Sequence, residues 1–302
     1  MINKRHMFAA FFVTIVNGFF RINMQDIEFE LTHITLRGLT FGDPQKPMIL
    51  ALHGWLDNAA SFMPIAEYLS DYYIVAIDIT GHGLSDHRSP GCHYHLMDFV
   101  YDLHELVESQ HWQKFILLGH SMGGIIGSIY TSCFNERVSH CISIESFGPI
   151  AKGPESSPNQ LRESIESRLK TSKSKAQHPA DLQRTINARA KAGDLNIDSA
   201  TLLVKRNVEQ LGDVIKFRTD RRLRTFSSLR ITEPQAEAFM RAIKCPTLVI
   251  NGDKGYEMMK KVLNERKTWL ADLTCTECCG GHHLHMDNPE PVARQIMTFL
   301  QR

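Results

Sequence analysis

Apolar residues gather into short runs, and each run closes on glycine or a polar residue. Met48–Leu52 ends at His53-Gly54, Tyr73–Ile77 at Asp78, Phe115–Leu118 at Gly119, Cys141–Ile144 at Glu145 and Thr247–Ile250 at Asn251-Gly252. Runs of this length predict buried strands, and the stretches between them, such as Met97–Ser109 and Gly124–Phe134, carry helical patterns. The loosely alternating stretch Ile27–Leu36 predicts one half-buried strand and Phe41–Pro47 a turn. Leu273–Cys278 predicts a late strand and Pro291–Leu300 a final helix. Strands alternating with helices imply an α/β fold, with a mostly parallel central sheet covered by helices on both faces. In such open sheets the carboxyl ends of the strands carry the site.

One segment interrupts this rhythm. Residues 151–242 hold no buried-strand pattern; they are polar and helix-favouring, entered through Pro149, Pro154 and Pro158 and left at Cys245-Pro246. They predict a helical insertion above the strand ends, placed to act as a lid. The expected organisation is an extension over 1–23, a core from 24–150 and 243–302, and a lid over 151–242.

Composition narrows the class. The chain has 302 residues, 43% of them apolar, with 16 Phe, 7 Tyr and 3 Trp, enough to bury a core and to exclude a disordered chain. A formal net charge of +1 argues against a whole-chain affinity for nucleic acid or anionic lipid. The charge is uneven, however. Residues 151–244 hold 19 Lys+Arg and 11 Asp+Glu, a net of +8, against −7 for the remainder. That split fits solvated helix faces, a lid that attracts an anionic substrate, or attraction between lid and core. Phe217, Phe226 and Phe239 are the only aromatics of the lid segment, too few for base-stacking platforms, so nucleic acid is not expected as a partner.

Seven cysteines at irregular spacings suggest no disulfide framework. Cys133, Cys141 and Cys245 stand alone in apolar runs and read as core thiols of a cytoplasmic protein. At the N-terminus, Lys4 and Arg5 precede the apolar run Met7–Val16, which resembles a short signal peptide. The run is too short to span a bilayer, so no stable membrane insertion is expected, and no small-residue cleavage site follows it. Residues 1–23 therefore read as a signal or surface anchor, a dispensable extension, or a start placed too far upstream; the cysteines favour the dispensable readings.

The chemistry concentrates at Gly119-His120-Ser121-Met122-Gly123, a G-x-S-x-G motif directly after a strand pattern and directly before a helix. That context predicts a sharp strand-to-helix turn with the Ser121 hydroxyl raised above the sheet. The following helix would aim free N–H groups at developing negative charge. Serine needs a neighbouring base at neutral pH. The stretch Gly280-Gly281-His282-His283-Leu284-His285, after the last strand pattern, supplies candidates in the chain order nucleophile, acid, histidine. An oxyanion hole needs two donors, and the backbone N–H groups of Met122 and Trp55 are the candidates.

Together with His53-Gly54-Trp55 and the stretch Asp78-Ile79-Thr80-Gly81-His82-Gly83-Leu84-Ser85-Asp86, these motifs resemble the α/β-hydrolase fold superfamily over nearly the whole chain after about residue 27. Within it the chain most resembles the serine hydrolase-like group, through Ile144–Pro149 and the run from Phe217 through Arg230 to Cys245-Pro246. The loop pattern of such enzymes is G-H-x-x-x-x-[DE]-x-P. Gly281, His282, Asp287 and Pro289 match it, which implies His282 as the base, with His283 the alternative. Many relatives carry the acid as G-x-x-D after the penultimate strand, whereas Gly252-Asp253-Lys254-Gly255 has glycine at that place. A minority arrangement, resembling some haloalkane dehalogenases, sets a glutamate at the end of the strand before the lid. Glu145 has that position, so the resemblance implies Glu145 as the acid, with Asp253 the alternative. Dehalogenase and epoxide hydrolase relatives use an aspartate nucleophile; Ser121 implies an acyl-enzyme instead.

Cys275, Cys278 and Cys279 with His282, His283 and His285 have the residue types of a zinc site. Neighbouring strand residues point to opposite faces, however, so no metal is expected there, and no organic cofactor is implied. The expectation is a serine hydrolase acting on a small-molecule carboxylic ester or other acyl substrate, anionic if the lid charge selects it. The same residues could cleave C–C, thioester or amide bonds or transfer the acyl group, and a non-catalytic ligand-binding hydrolase fold is the remaining reading.

Overall fold

A computed structural model describes residues 23–302 apart from 177, 180 and 213. The extension expected over 1–23 therefore lies, Asn23 excepted, outside the described residues. The apolar runs become strands β1 (Met24–Glu30), β2 (Thr35–Phe41), β3 (Met48–Leu52), β4 (Tyr73–Asp78), β5 (Phe115–His120) and β6 (Val138–Ile144). After β7 (Val208–Leu211) and β8 (Val214–Phe217) come β9 (Thr247–Gly252) and β10 (Leu273–Cys278). The helices are α1 (Met63–Ala66), α2 (Leu96–Ser109), α3 (Met122–Cys133), α4 (Ser157–Lys173), α5 (Leu182–Gly193), α6 (Ile197–Asn207), α7 (Glu233–Ala242), α8 (Glu257–Arg266), α9 (Leu284–Asp287) and α10 (Pro289–Leu300).

Eight strands form one sheet in the order β1-β2-β4-β3-β5-β6-β9-β10, parallel from β4 onward and antiparallel where β2 meets β1 and β4. The single strand expected over Ile27–Leu36 is instead a hairpin. The chain turns at Thr32-His33, closed by the Leu31 N–H donating to the Ile34 carbonyl at 2.9 Å. Central strand β5 is buried along its whole length, as a parallel strand covered on both faces must be. Alternate residues of β3 feed two core layers. Ile49 and Ala51 pack with Phe62, Ile65, Val292 and Ile296 beneath α1 and α10, whereas Leu50 and Leu52 pack with Phe99, Leu103, Ile126 and Ile129 of α2 and α3.

The chain between β6 and β9 leaves the sheet. There α5 and α6 pack on each other around Ile186, Ala190, Ala200, Leu203 and Val204. β7 and β8 pair as a separate, largely exposed hairpin, an element the polar sequence did not announce. The last helix of the stretch, α7, buries Ala236 and Met240 and sets Phe239 against the layer under α3. This helix, at the end of the segment expected as the insertion, thus packs against the core. Two arginines tie the insertion down. Arg206 of α6 places Nε 3.0 and 2.9 Å from the two carboxylate oxygens of Asp78, and Arg189 of α5 donates to Asp57. All seven cysteines are free thiols; Cys141 is buried, while Cys133, expected in the core, is exposed at the end of α3. Among the described residues no helix is long and apolar enough to cross a membrane.

Candidate active site

The sharp turn after β5 is built from its glycines. Ser121 has φ 51° and ψ −116°, a conformation costly for a residue with a Cβ, and its N–H donates to the Ile144 carbonyl at 2.9 Å. A Cβ on Gly119 would sit 2.5 Å from the Gly123 backbone, and one on Gly123 would sit 2.0 Å from the Leu52 carbonyl oxygen. Only glycine allows α3 to start this close to β3 and β5. Met122 is the first residue of α3, so its N–H has no partner within the helix. Among the described residues no group takes either that N–H or the N–H of Trp55.

At the end of β6 the chain turns again at Glu145, with φ 51°. Its carboxylate is 2% exposed, and Oε1 accepts the Gly252 N–H at 2.7 Å. Oε2 accepts the Tyr256 N–H at 3.3 Å and lies 3.1 Å from His282 Nδ1. Burial alone would raise this carboxyl's pKa; the hydrogen bond from His282, the two backbone N–H groups and the histidine's charge outweigh it and hold the pKa below the usual value. His282 donates from Nδ1, which leaves Nε2 as the basic nitrogen. Burial lowers its pKa, and Glu145 offsets that only in part. The Tyr256 ring stacks on the imidazole at 4.3 Å between centroids, and His120 Nε2 donates to the His282 carbonyl at 2.9 Å. Ser121, His282, Trp55 and Tyr256 open on one cavity of about 700 Å³, lined along one side by α5.

The sequence profile of the alpha/beta hydrolase fold matches residues 47–289. The chain belongs to the α/β hydrolase fold family. Within it, this α/β hydrolase falls in the serine hydrolase-like group. It is 30% identical over 279 residues to serine hydrolase-like protein 2 of Homo sapiens, covering 86% of this chain and 89% of that one. It is 28% identical over 277 residues to the serine hydrolase-like protein of Danio rerio, covering 88% and 85%. The crystal structure of a hypothetical protein from Pseudomonas aeruginosa PAO1 superposes with a TM-score of 0.85 at 33% identity, over 92% of this chain and 99% of that one.

The other candidates of this α/β hydrolase take different places. Asp253 accepts the Gly280 N–H at 2.8 Å, and among the described residues no hydrogen bond joins it to His282. His283 points Nδ1 at the Gly193 carbonyl, 3.1 Å away, and Nε2 at Asp57 Oδ2, 3.3 Å away. Arg189 Nη2 also lies 3.4 Å from Nε2, so both ring nitrogens are engaged within a buried cluster. His285 is fully buried with Nε2 2.7 Å from Ser61 Oγ. Cys278 packs in the core while Cys275 and Cys279 are exposed, so these thiols do not converge.

Reasoning from sequence missed the pairing behind the loop that carries His282. Asp57 is buried against His120, His283 and Arg189; burial favours its protonated form, but those positive and N–H groups hold its pKa well below the usual range. Asp57, His120 and His283 bring one ligand atom each within 4.8 Å of one another, the donor set of a two-histidine, one-carboxylate metal site. The Arg189 guanidinium already lies against this carboxylate and supplies the positive charge that an ion would. The signal available in the sequence was His120, a histidine immediately before Ser121. Arg189, the donor to Asp57, lies 132 positions from that carboxylate in an insertion with no motif.

Proposed function

We propose that the protein is a serine hydrolase that cleaves carboxylic esters through an acyl-enzyme on Ser121. The family membership supports hydrolase chemistry. The observation that carries the finer reading is the Glu145–His282 pair, 3.1 Å apart, with His282 opening on the same cavity as Ser121. In this reading Ser121 Oγ attacks the ester carbonyl carbon and gives its proton to His282 Nε2. The carbonyl electrons move to oxygen, which the Trp55 and Met122 N–H groups hold. Collapse expels the alcohol, which takes the proton from His282. Water then attacks the acyl carbon with His282 again accepting a proton, and a second collapse returns the proton to Ser121 and frees the acid. Glu145 fixes the imidazole tautomer and stabilises the imidazolium. The insertion acts as the lid, with α5 along one side of the cavity. The exposed free thiols Cys92, Cys133, Cys275 and Cys279 favour a reducing, cytoplasmic compartment.

The test is turnover of p-nitrophenyl esters together with labelling by a fluorophosphonate probe. Ser121→Ala is expected to lower kcat by about 10⁶-fold, the loss typical of a removed serine nucleophile, and to abolish labelling. Near-wild-type turnover in a folded Ser121→Ala protein overturns the proposal.

A further inference from the structure

The cavity has charged walls, and their charges are unequally used. Arg189 is committed to Asp57. Asp181 caps α5, its carboxylate accepting the Arg184 N–H at 2.7 Å. Arg184 on α5 and Arg224 on the loop after β8 also line the cavity, and among the described residues neither guanidinium has a hydrogen bond or an ion pair. Two exposed cations therefore face one opening with no protein anion satisfying them. Counting these five side chains, with histidines neutral, the wall carries a net charge of +1, the charge that one carboxylate balances.

The direction of α5 says where such an anion would sit. Its C-terminal residue Gly193 touches His283, the neighbour of His282, so that end of the helix lies at the reacting centre. Arg184 is nine residues nearer the N-terminus, about 13 Å along the axis at the α-helical rise. Helical side chains lean toward the N-terminus, which carries the guanidinium farther from His282. Ala188 and Ala192, on the same face between the two ends, leave the cavity open along its length.

We propose that Arg184, at the outer end of the cavity, and Arg224, on the wall of the same cavity, form an anion-binding subsite that selects acyl chains of medium length ending in a carboxylate. The turnover arm of its test rests on Ser121 being the nucleophile. The probes are mono-p-nitrophenyl adipate, suberate and sebacate, compared with the neutral hexanoate, octanoate and decanoate esters. The readout is the ratio of kcat/KM for each acid ester to that for the neutral ester of the same length. The ratio is expected to peak at one of the two longer chains and to fall about tenfold in Arg184→Gln/Arg224→Gln. Arg184→Lys/Arg224→Lys should restore most of it, and added salt should lower it by screening exposed charge. Arg162→Gln removes a charge from α4, away from the cavity lining, and should leave the ratio at the wild-type value. An unchanged ratio in the glutamine double variant overturns the subsite, as does an equal fall in Arg162→Gln, which would make the effect a diffuse field of the whole insertion.

A second arm needs no turnover. Calorimetric binding of monomethyl suberate to Ser121→Ala is expected to be about tenfold tighter than binding of dimethyl suberate, and the glutamine double variant should erase the difference. Equal binding of the two esters overturns the subsite even if Ser121 proves not to be the nucleophile. Retained discrimination alongside absent turnover rejects the serine chemistry and supports the subsite.

Discussion

In the proposed mechanism His282 acts as a base, which it can do only while its imidazole is neutral. Burial sets its pKa below the ordinary 6.5, with the Glu145 carboxylate raising it part of the way back. The sign follows directly: kcat/KM should rise with pH along a limb lying below 6.5 and be level through neutrality. Glu145→Gln removes a carboxylate that favours the imidazolium, so the limb should move to lower pH while kcat falls by about 10⁴-fold, as expected when the orienting acid is lost. A pH–rate profile of that variant checks both. Near-wild-type kcat in Glu145→Gln, with a large loss in Asp253→Asn, would transfer the acid role to Asp253. Glu145 was legible in the sequence because it ends a strand before a proline-rich exit, a position the resemblance supplied. That its second oxygen takes the Gly252 N–H was not legible, since that contact spans 107 positions. The Asp57, His120 and His283 cluster gives a separate expectation. Because Arg189 already neutralises Asp57, dialysis against EDTA should leave ester turnover unchanged. Loss of turnover that zinc restores would show that the cluster holds a metal.

Among the elements, α6 is the one whose attachment is most specific. Arg206 is largely buried and reaches the fully buried Asp78 at the end of β4, where Asp78 also accepts the Ala59 and Leu84 N–H groups. Desolvation works against the guanidinium's charge, but Asp78 outweighs it and raises the Arg206 pKa. Removing one partner of such a pair leaves a buried charge uncompensated, which costs about 3–5 kcal/mol. Arg206→Met should lose that much in urea-induced unfolding, whereas Arg241→Met, on the exposed i,i+4 pair with Glu237, should lose under about 0.5 kcal/mol. Equal losses would show that the buried pair does not anchor the insertion. The strands β3, β4, β5, β6 and β9 were readable because a strand buried on both faces is a continuous apolar run. The β1–β2 turn at Thr32-His33 and the β7–β8 hairpin were not. The first lacks a glycine or proline signal, and the second is exposed and so carries little hydrophobic pattern.

For the molecule as a whole, the +8 segment sits on a −7 remainder, and the structure gives that split two distinct uses. Part of the insertion's excess is consumed in pairs with buried carboxylates, Arg189 with Asp57 and Arg206 with Asp78. Buried pairs are screened weakly by salt, so Tm between low and moderate NaCl should stay within about 2 °C, less than about 1 kcal/mol for a chain of this size. A larger fall in thermal unfolding would mean that exposed attraction, rather than the two arginines paired with buried carboxylates, holds the insertion. The other part faces the cavity at Arg184 and Arg224. By itself the sequence determined the order of strands and helices, the elbow at Ser121, the family and the region of the insertion, because each is written in local pattern: run length, periodicity and glycine spacing. Only the tertiary structure decided that α7 packs against the core and that Glu145 reaches His282. It alone showed which arginines are paired and which face the cavity, because those outcomes depend on long-range approach of side chains, on which local pattern is silent.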